Sequence, residues 1–180
     1  YVHIPFCSVR CGYCDFNTYT NLDFGGGASA SRFAETIVQE IEMAGDVLQP
    51  WEPPHTVFFG GGTPTLLPAT DLAHILGAIS NTFGAPTGEV TTEANPESVT
   101  KEDLARLQEA GFTRFSFGMQ SARPHVLDVL DRVHTPGQVD NVTGWARELG
   151  LEFSVDLIYG APGETLDDWQ TSLDVALALE

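Results

Sequence analysis

Basic residues are scarce in this chain: 8 Lys and Arg stand against 25 Asp and Glu, a formal charge of −17. A broad phosphate-binding surface needs clustered cations, so nucleic acid is not an expected partner, although a few local arginines or backbone amides can still hold one anionic ligand. Long apolar runs are also missing. No stretch approaches the ~20 residues that span a bilayer, so no transmembrane segment is expected, and no signal-peptide pattern opens the chain. Only 3 cysteines occur, at positions 7, 11 and 14. An odd, clustered set makes no disulfide framework and suits metal binding in a reducing compartment, which gives cytoplasm as the expected location.

What is present suffices for one domain: 180 residues, 42% of them hydrophobic, can bury a substantial core. The chain opens inside an apolar strand-like segment without Met and closes inside a helical pattern. The expectation is that residues 1–180 are a piece of a longer protein.

Strand-like segments at 1–6, 55–59, 89–93, 114–119 and 151–158 alternate with helical patterns. The first helix, over 31–48, places Phe33, Ile37, Ile41, Ala44 and Leu48 on one face and meets Pro50, Pro53 and Pro54 at its end. Before it, Gly25-Gly26-Gly27 has no preceding strand and reads as a plain loop. Thr70 is the predicted cap of a second helix, whose stripe is Leu72, Ile75, Leu76, Ile79 and Phe83 and whose stop is Gly84. Thr100 with Asp103, and Thr165 with Asp168, form capping-box patterns, the latter ahead of a Leu166, Trp169, Leu173 and Leu177 stripe. Pro124 and Pro136 open two further helices.

Strict β/α alternation implies an α/β fold with a parallel sheet and right-handed crossovers. Every strand ends in a polar or glycine-bearing cluster: the cysteine loop, Gly60-Gly61-Gly62-Thr63-Pro64, Glu93-Ala94-Asn95-Pro96, Met119-Gln120-Ser121, and Asp156 with Tyr159-Gly160-Ala161-Pro162-Gly163. An open doubly wound sheet concentrates function at one switch point, whereas a barrel rim collects it from every strand. The fold class predicted is therefore an incomplete parallel (β/α) barrel with five βα repeats, its remaining strands lying beyond Glu180.

Three thiolates at C-x3-C-x2-C spacing can hold three irons of a cubane cluster and leave the fourth iron open. A structural zinc site is the alternative; it wants four ligands, and His3 is the candidate fourth. Phe6, Tyr13 and Phe16 would shield a cluster from water, which tunes its potential.

The spacing, with an aromatic before the last cysteine, resembles the signature of radical S-adenosylmethionine (SAM) proteins. Tyr1-Val2-His3-Ile4-Pro5-Phe6-Cys7 and the ordered strand-end clusters are similar to the branch of oxygen-independent coproporphyrinogen oxidase (HemN) and the HemW heme chaperones. The resemblance implies the radical SAM barrel and a [4Fe-4S] cluster on Cys7, Cys11 and Cys14, with SAM chelating the open iron. It further implies backbone contacts from Gly61, Gly62 and Thr63, polar contacts from Glu93, Gln120, Arg132 and Asp156, and walls from Tyr1 and Tyr13. Their chemistry agrees: carboxylates accept from hydroxyls or an amine, an amide does both, and a guanidinium binds a carboxylate bidentately. The blander roles are a loop tie for Asp156 and a solvated charge for Arg132, and for Arg10 within the cysteine loop. His55, His74, His125 and His134 are expected to be satisfied surface or boundary residues.

Within the branch, oxidases carry a further cysteine two residues after the third, where this chain has Phe16. That departure resembles the chaperones and implies a heme or porphyrin ligand, a heme-acceptor protein and an electron donor for the cluster. Heme is implied by resemblance alone, with no residue here to hold it. Coproporphyrinogen III oxidation and a zinc-bearing structural domain are the competing expectations.

Overall fold

The computed structural model describes residues 1–23, 29–48 and 52–179. The glycine triplet at 25–27 and Pro50 lie outside the described residues. Five strands, β1 (Val2–Ile4), β2 (Val57–Gly61), β3 (Val90–Ala94), β4 (Arg114–Gln120) and β5 (Glu152–Leu157), form one sheet in the order β1-β2-β3-β4-β5. All four pairings are parallel. Each strand lies beside its predecessor, so among the described residues the order never reverses and no switch point arises. This is the wall of a barrel laid open, as the strand-end clusters predicted.

The helices are α1 (Ala30–Val47), α2 (Ala69–Phe83), α3 (Lys101–Ala110), α4 (Pro124–Val129), α5 (Pro136–Leu149) and α6 (Leu166–Ala178). Phe59, Phe115 and Phe117 from one face of the sheet pack with Leu72, Ile75, Leu104, Leu107 and Val142 in the main core. Phe59, Phe112, Phe115 and Phe117 are fully buried, each worth roughly 1.5–3 kcal/mol of transfer free energy. The other face is polar. One register row there reads Glu93, Ser116, Ser154 across β3, β4 and β5.

Local signals set most helix ends. Thr100 Oγ1 accepts from the Asp103 amide at 3.2 Å and the Asp103 carboxylate accepts from the Thr100 amide at 3.0 Å, the reciprocal box predicted. Thr165 and Asp168 repeat it. Gly111 ends α3 at φ 109°. Three expectations need correction. Thr70 does not cap α2: the helix begins at Ala69 behind Pro68, whose extended backbone already supplies the entry geometry, so Thr70 sits inside the first turn. On α1 the buried positions are Ala34, Val38 and Gly45; Phe33, Ile37 and Ile41 pack half-buried beside them, and Leu48, past the helix end, is exposed. On α6 the two ends of the predicted stripe turn outward, Leu166 88% and Leu177 65% exposed, with Trp169 and Leu173 half-buried, while Asp168 and Ser172 are buried. The cause is polar docking: Ser172 Oγ accepts from the Ala122 amide at 3.0 Å, and Asp168 takes Arg123 Nε at 2.7 Å.

Candidate functional site

The parallel register brings the C-terminal ends of all five strands to one rim, where a single cleft opens. Its first wall is the cysteine loop. That loop leaves β1 through Pro5 and Phe6 and is closed at its base by two amides: Cys7 donates to the Tyr19 carbonyl at 2.9 Å and Tyr19 to the Pro5 carbonyl at 2.7 Å. His3 Nε2 lies 3.0 Å from the Asn17 carbonyl, tying the outgoing strand to the returning chain. With Nδ1 taken by the Tyr1 hydroxyl at 2.9 Å, His3 is committed on both nitrogens and is unsuited as a fourth metal ligand.

The floor comes from the end of β2. Gly62 donates to the Ile4 carbonyl at 2.8 Å and Thr63 to the Phe6 carbonyl at 2.7 Å. A Cβ on Gly62 would stand 2.4 Å from the Phe6 carbonyl oxygen and 2.9 Å from Cys7 Sγ, so only glycine lets this backbone lie against the thiol. Gly61, at φ 121°, adopts a conformation that a side chain would strain, and its amide donates to Glu93 Oε2 at 3.0 Å. Desolvation raises the Glu93 pKa, reinforced by Asp156 and opposed by the Gly61 amide and His3. Desolvation likewise raises that of Asp156, against the pull of the Ser116 hydroxyl, 3.0 Å from its Oδ1, and of Arg114 and Arg132.

Arg132 spans the cleft. Its Nη2 donates to Asn95 Oδ1 at 2.7 Å and to the Gly118 carbonyl at 3.0 Å, and its Nη1 approaches Cys11 Sγ at 3.6 Å. Asn95 in turn donates from Nδ2 to Thr63 Oγ1 at 3.1 Å, joining the ends of β2 and β3 to the guanidinium. Far from a solvated charge, Arg132 ties three strand ends to the cysteine loop. Gln120 reaches the cleft by a different device. A register shift between Phe117 and Gln120 accompanies a φ of 62° at Gln120, a left-handed conformation that costs a non-glycine residue of order 1 kcal/mol or more. Burial pushes the Tyr13 phenol up to about 12, against the pull of Arg132, beside Cys11.

Cys7, Cys11, Cys14, Tyr13, Gly61, Gly62, Thr63, Glu93, Gln120, Arg132 and Asp156 thus all line one cleft. Tyr1 does not line it: the ring is 76% exposed and stacked on Phe58, on the same sheet face as Glu93, whose charge helps raise its pKa after desolvation. Sequence reasoning passed over Asn95, Ser116 and His134. Asn95 was visible only as a member of a strand-end motif and Ser116 only as a mid-strand residue; His134, expected at a surface or boundary, is 3% exposed and contacts Arg132.

The three thiols are free and half-buried. Burial raises the Cys7 pKa, the Thr18 and Thr63 hydroxyls lower it, and the charges of Cys14 and Cys11 raise it again, so the three thiols sense one another. Among the described residues no three His, Cys, Asp or Glu side chains are already gathered as a closed ligand set. Three soft donors on one short loop, backed by a glycine floor without room for a Cβ, fit a thiolate-ligated cluster with an open position better than a four-ligand zinc site.

The sequence model of the Radical SAM superfamily matches residues 1–176. The chain is 48% identical over 179 residues to the heme chaperone HemW of Mycobacterium tuberculosis, covering 98% of this chain and 45% of that one. It is 39% identical over 184 residues to the heme chaperone HemW of Synechocystis sp., covering 99% and 43%. Among solved structures, the coproporphyrinogen III oxidase HemN of Escherichia coli, a radical SAM enzyme, is similar at a TM-score of 0.88 and 26% identity, over 99% of this chain and 41% of that one. The chain therefore spans less than half the length of these relatives.

Proposed function

The chain belongs to the radical SAM superfamily, and from that premise we propose that it is the cluster- and SAM-binding part of a HemW-like heme chaperone, which delivers heme to an acceptor protein. Cys7, Cys11 and Cys14 hold a [4Fe-4S] cluster, and SAM occupies the cleft beside it. When bound, the pair supplies one-electron reductive cleavage of a sulfonium, driven by an external electron donor.

The protein's own residues position and desolvate. The amides of Gly61, Gly62 and Thr63 are taken by Glu93, Ile4 and Phe6, so this floor offers its carbonyl groups, and the two glycines carry no Cβ to stand before them. Glu93 and Asp156 are acceptors for hydroxyl or amine hydrogens, Gln120 donates and accepts, and Arg132 takes a carboxylate. Tyr13 covers the side next to Cys11, and Tyr1 closes the neighbouring sheet face. The free thiols require a reducing compartment, consistent with cytoplasm. Among the described residues no helix is long and apolar enough to cross a membrane.

The observation that carries the chaperone reading is Phe16. It lines the cleft at 61% exposure, where an oxidase-type loop would add a fourth thiol. The likeness to HemN favours a second reading, oxidative decarboxylation of coproporphyrinogen III. Product analysis on the full-length protein separates the two. After anaerobic reconstitution, tight heme binding followed by transfer to an apoprotein is expected; conversion of coproporphyrinogen III with SAM turnover would overturn the chaperone reading. Stoichiometric zinc, with no cubane EPR signal after reduction, would overturn both.

A further inference from the structure

Arg132 carries five N–H groups in a rigid fork, and its aim depends on which acceptors hold them. Two on Nη2 go to Asn95 and Gly118, and one on Nη1 goes to Cys11. The Nε–H donates to His134 Nδ1 at 3.4 Å. His134 has a buried side chain, and its Nε2 lies 3.0 Å from the Met119 carbonyl, which can only accept. Nε2 must therefore carry the ring proton, which leaves Nδ1 as an acceptor directed at Arg132. A proton on Nδ1 would face the Arg132 Nε–H head-on, and Glu97 Oε2, at 4.0 Å, is too far to accept it.

We propose that His134 is a positioning residue: locked as the Nε2–H tautomer by Met119, it sets the plane of the Arg132 guanidinium so that the remaining Nη1–H is presented to an anionic group in the cleft. The inference rests on the reading that Arg132 meets the SAM carboxylate, but the tautomer and the contact stand without it. His134 touches the cleft only through Arg132, and a satisfied buried histidine would be its merely structural role.

Two substitutions separate the two nitrogens. In His134→Asn, Oδ1 replaces Nδ1, so the acceptor for Arg132 survives while the donor to Met119 is lost. In His134→Gln, Nε2 replaces the ring Nε2, so the donor survives while the acceptor is lost. In the reconstituted full-length protein, His134→Gln is expected to weaken SAM binding by roughly five- to tenfold with little change in Tm, the fold-change that one ordinary hydrogen bond is worth. His134→Asn is expected to lower Tm while keeping SAM affinity within about twofold of the parent. The opposite pattern, or affinities that follow Tm in both variants, would overturn the proposal, as would two variants that both behave like the parent.

An independent readout needs no cofactor. The Arg132 Nε–H resonance of the 15N-arginine-labelled apoprotein, assigned by its disappearance in Arg132→Lys, is expected to shift in His134→Gln and stay near its parental position in His134→Asn. If the parent protein bound no SAM, the functional reading would fall while this resonance still decided the role of His134. An unmoved resonance in His134→Gln would refute it.

Discussion

The two faces of the sheet differ more than the two faces of a buried parallel sheet usually do. Such strands tend to be apolar on both sides, because both are covered. Here the row Phe59, Thr92, Phe115, Phe153 turns to the helices, whereas the next row, Glu93, Ser116, Ser154, turns to the open side. Alternation within single strands has thus separated two tasks. The helix face supplies burial, and the open face supplies hydrogen-bonding groups beside a cleft whose upper wall is the cysteine loop. Changes on one face should therefore leave the property carried by the other nearly intact.

The largest expected effect is all-or-none. Cys11→Ser should abolish the 4Fe-4S spectrum after anaerobic reconstitution, because two thiolates cannot hold three irons. The apoprotein's stability should move by no more than about 0.5 kcal/mol, as for other substitutions outside the core. A full cubane EPR signal from this variant would remove Cys11 from the ligand set. On the opposite side, Phe117→Ala empties a fully buried site in the main core. It should cost about 3–5 kcal/mol in denaturant unfolding of the apoprotein, from lost transfer free energy and the cavity left behind. A cost under about 1 kcal/mol would mean that the helix face is not where the fold's stability resides.

A buried group between these regions makes stability depend on pH. Desolvation and the Arg132 charge lower the His134 pKa from 6.5 to about 4, the Met119 carbonyl opposing them. The folded state therefore keeps His134 neutral over a range where the unfolded chain takes up a proton. Stability from this source is complete above pH 6.5 and is lost as pH falls toward about 4. The full loss is about 3 kcal/mol, since each tenfold difference in proton affinity between the folded and unfolded states is worth about 1.4 kcal/mol. Glu93 and Asp156, whose pKa values are raised, act in the opposite sense at the acid end. The informative measurement is thus the difference between the parent and His134→Gln unfolding free energies across this range. Parent minus variant, near zero at neutral pH, should turn negative as pH falls toward about 4, because only the parent loses this contribution; a constant difference would show that His134 does not titrate differently in the two states.

Much of this division was legible in the residue order. Strand–helix alternation and the five strand-end clusters carried the barrel wall, and the cysteine spacing carried the cleft's most distinctive chemistry. Reciprocal Thr/Asp boxes marked α3 and α6 because a cap is a local interaction, complete within four residues. The outward turn of Leu166 and Leu177 was not legible, because Asp168 and Ser172 are drawn inward by partners at Arg123 and Ala122, far away in sequence. For the same reason Arg132 alone read as a solvated charge, and only the family resemblance drew it into the site. Its partners Asn95, Gly118 and Cys11 come from three other segments, and only the sheet register brings them together.

The finest test compares two neighbours. Ser116 and Phe117 are adjacent on β4 and point to opposite faces. Ser116 Oγ lies 3.0 Å from Asp156 Oδ1, to which it donates, and 3.0 Å from Ser154 Oγ, and Ser154 is also held by Arg114 Nη2 at 2.6 Å. In Ser116→Ala the serine on β5 keeps its arginine, and the Asp156 carboxylate, exposed at the cleft, can take water in place of the lost donor. Loss of one such bond should cost under about 1 kcal/mol, a fraction of the cost at Phe117. The Asp156 pKa should still rise further above its ordinary value, because the hydroxyl that favours the ionised form has gone. Carboxyl 13C titration of the apoprotein reads that change directly. A loss of stability comparable to that of Phe117→Ala would erase the distinction between the faces; a small loss with a raised Asp156 pKa would confine the role of Ser116 to the electrostatics of the cleft.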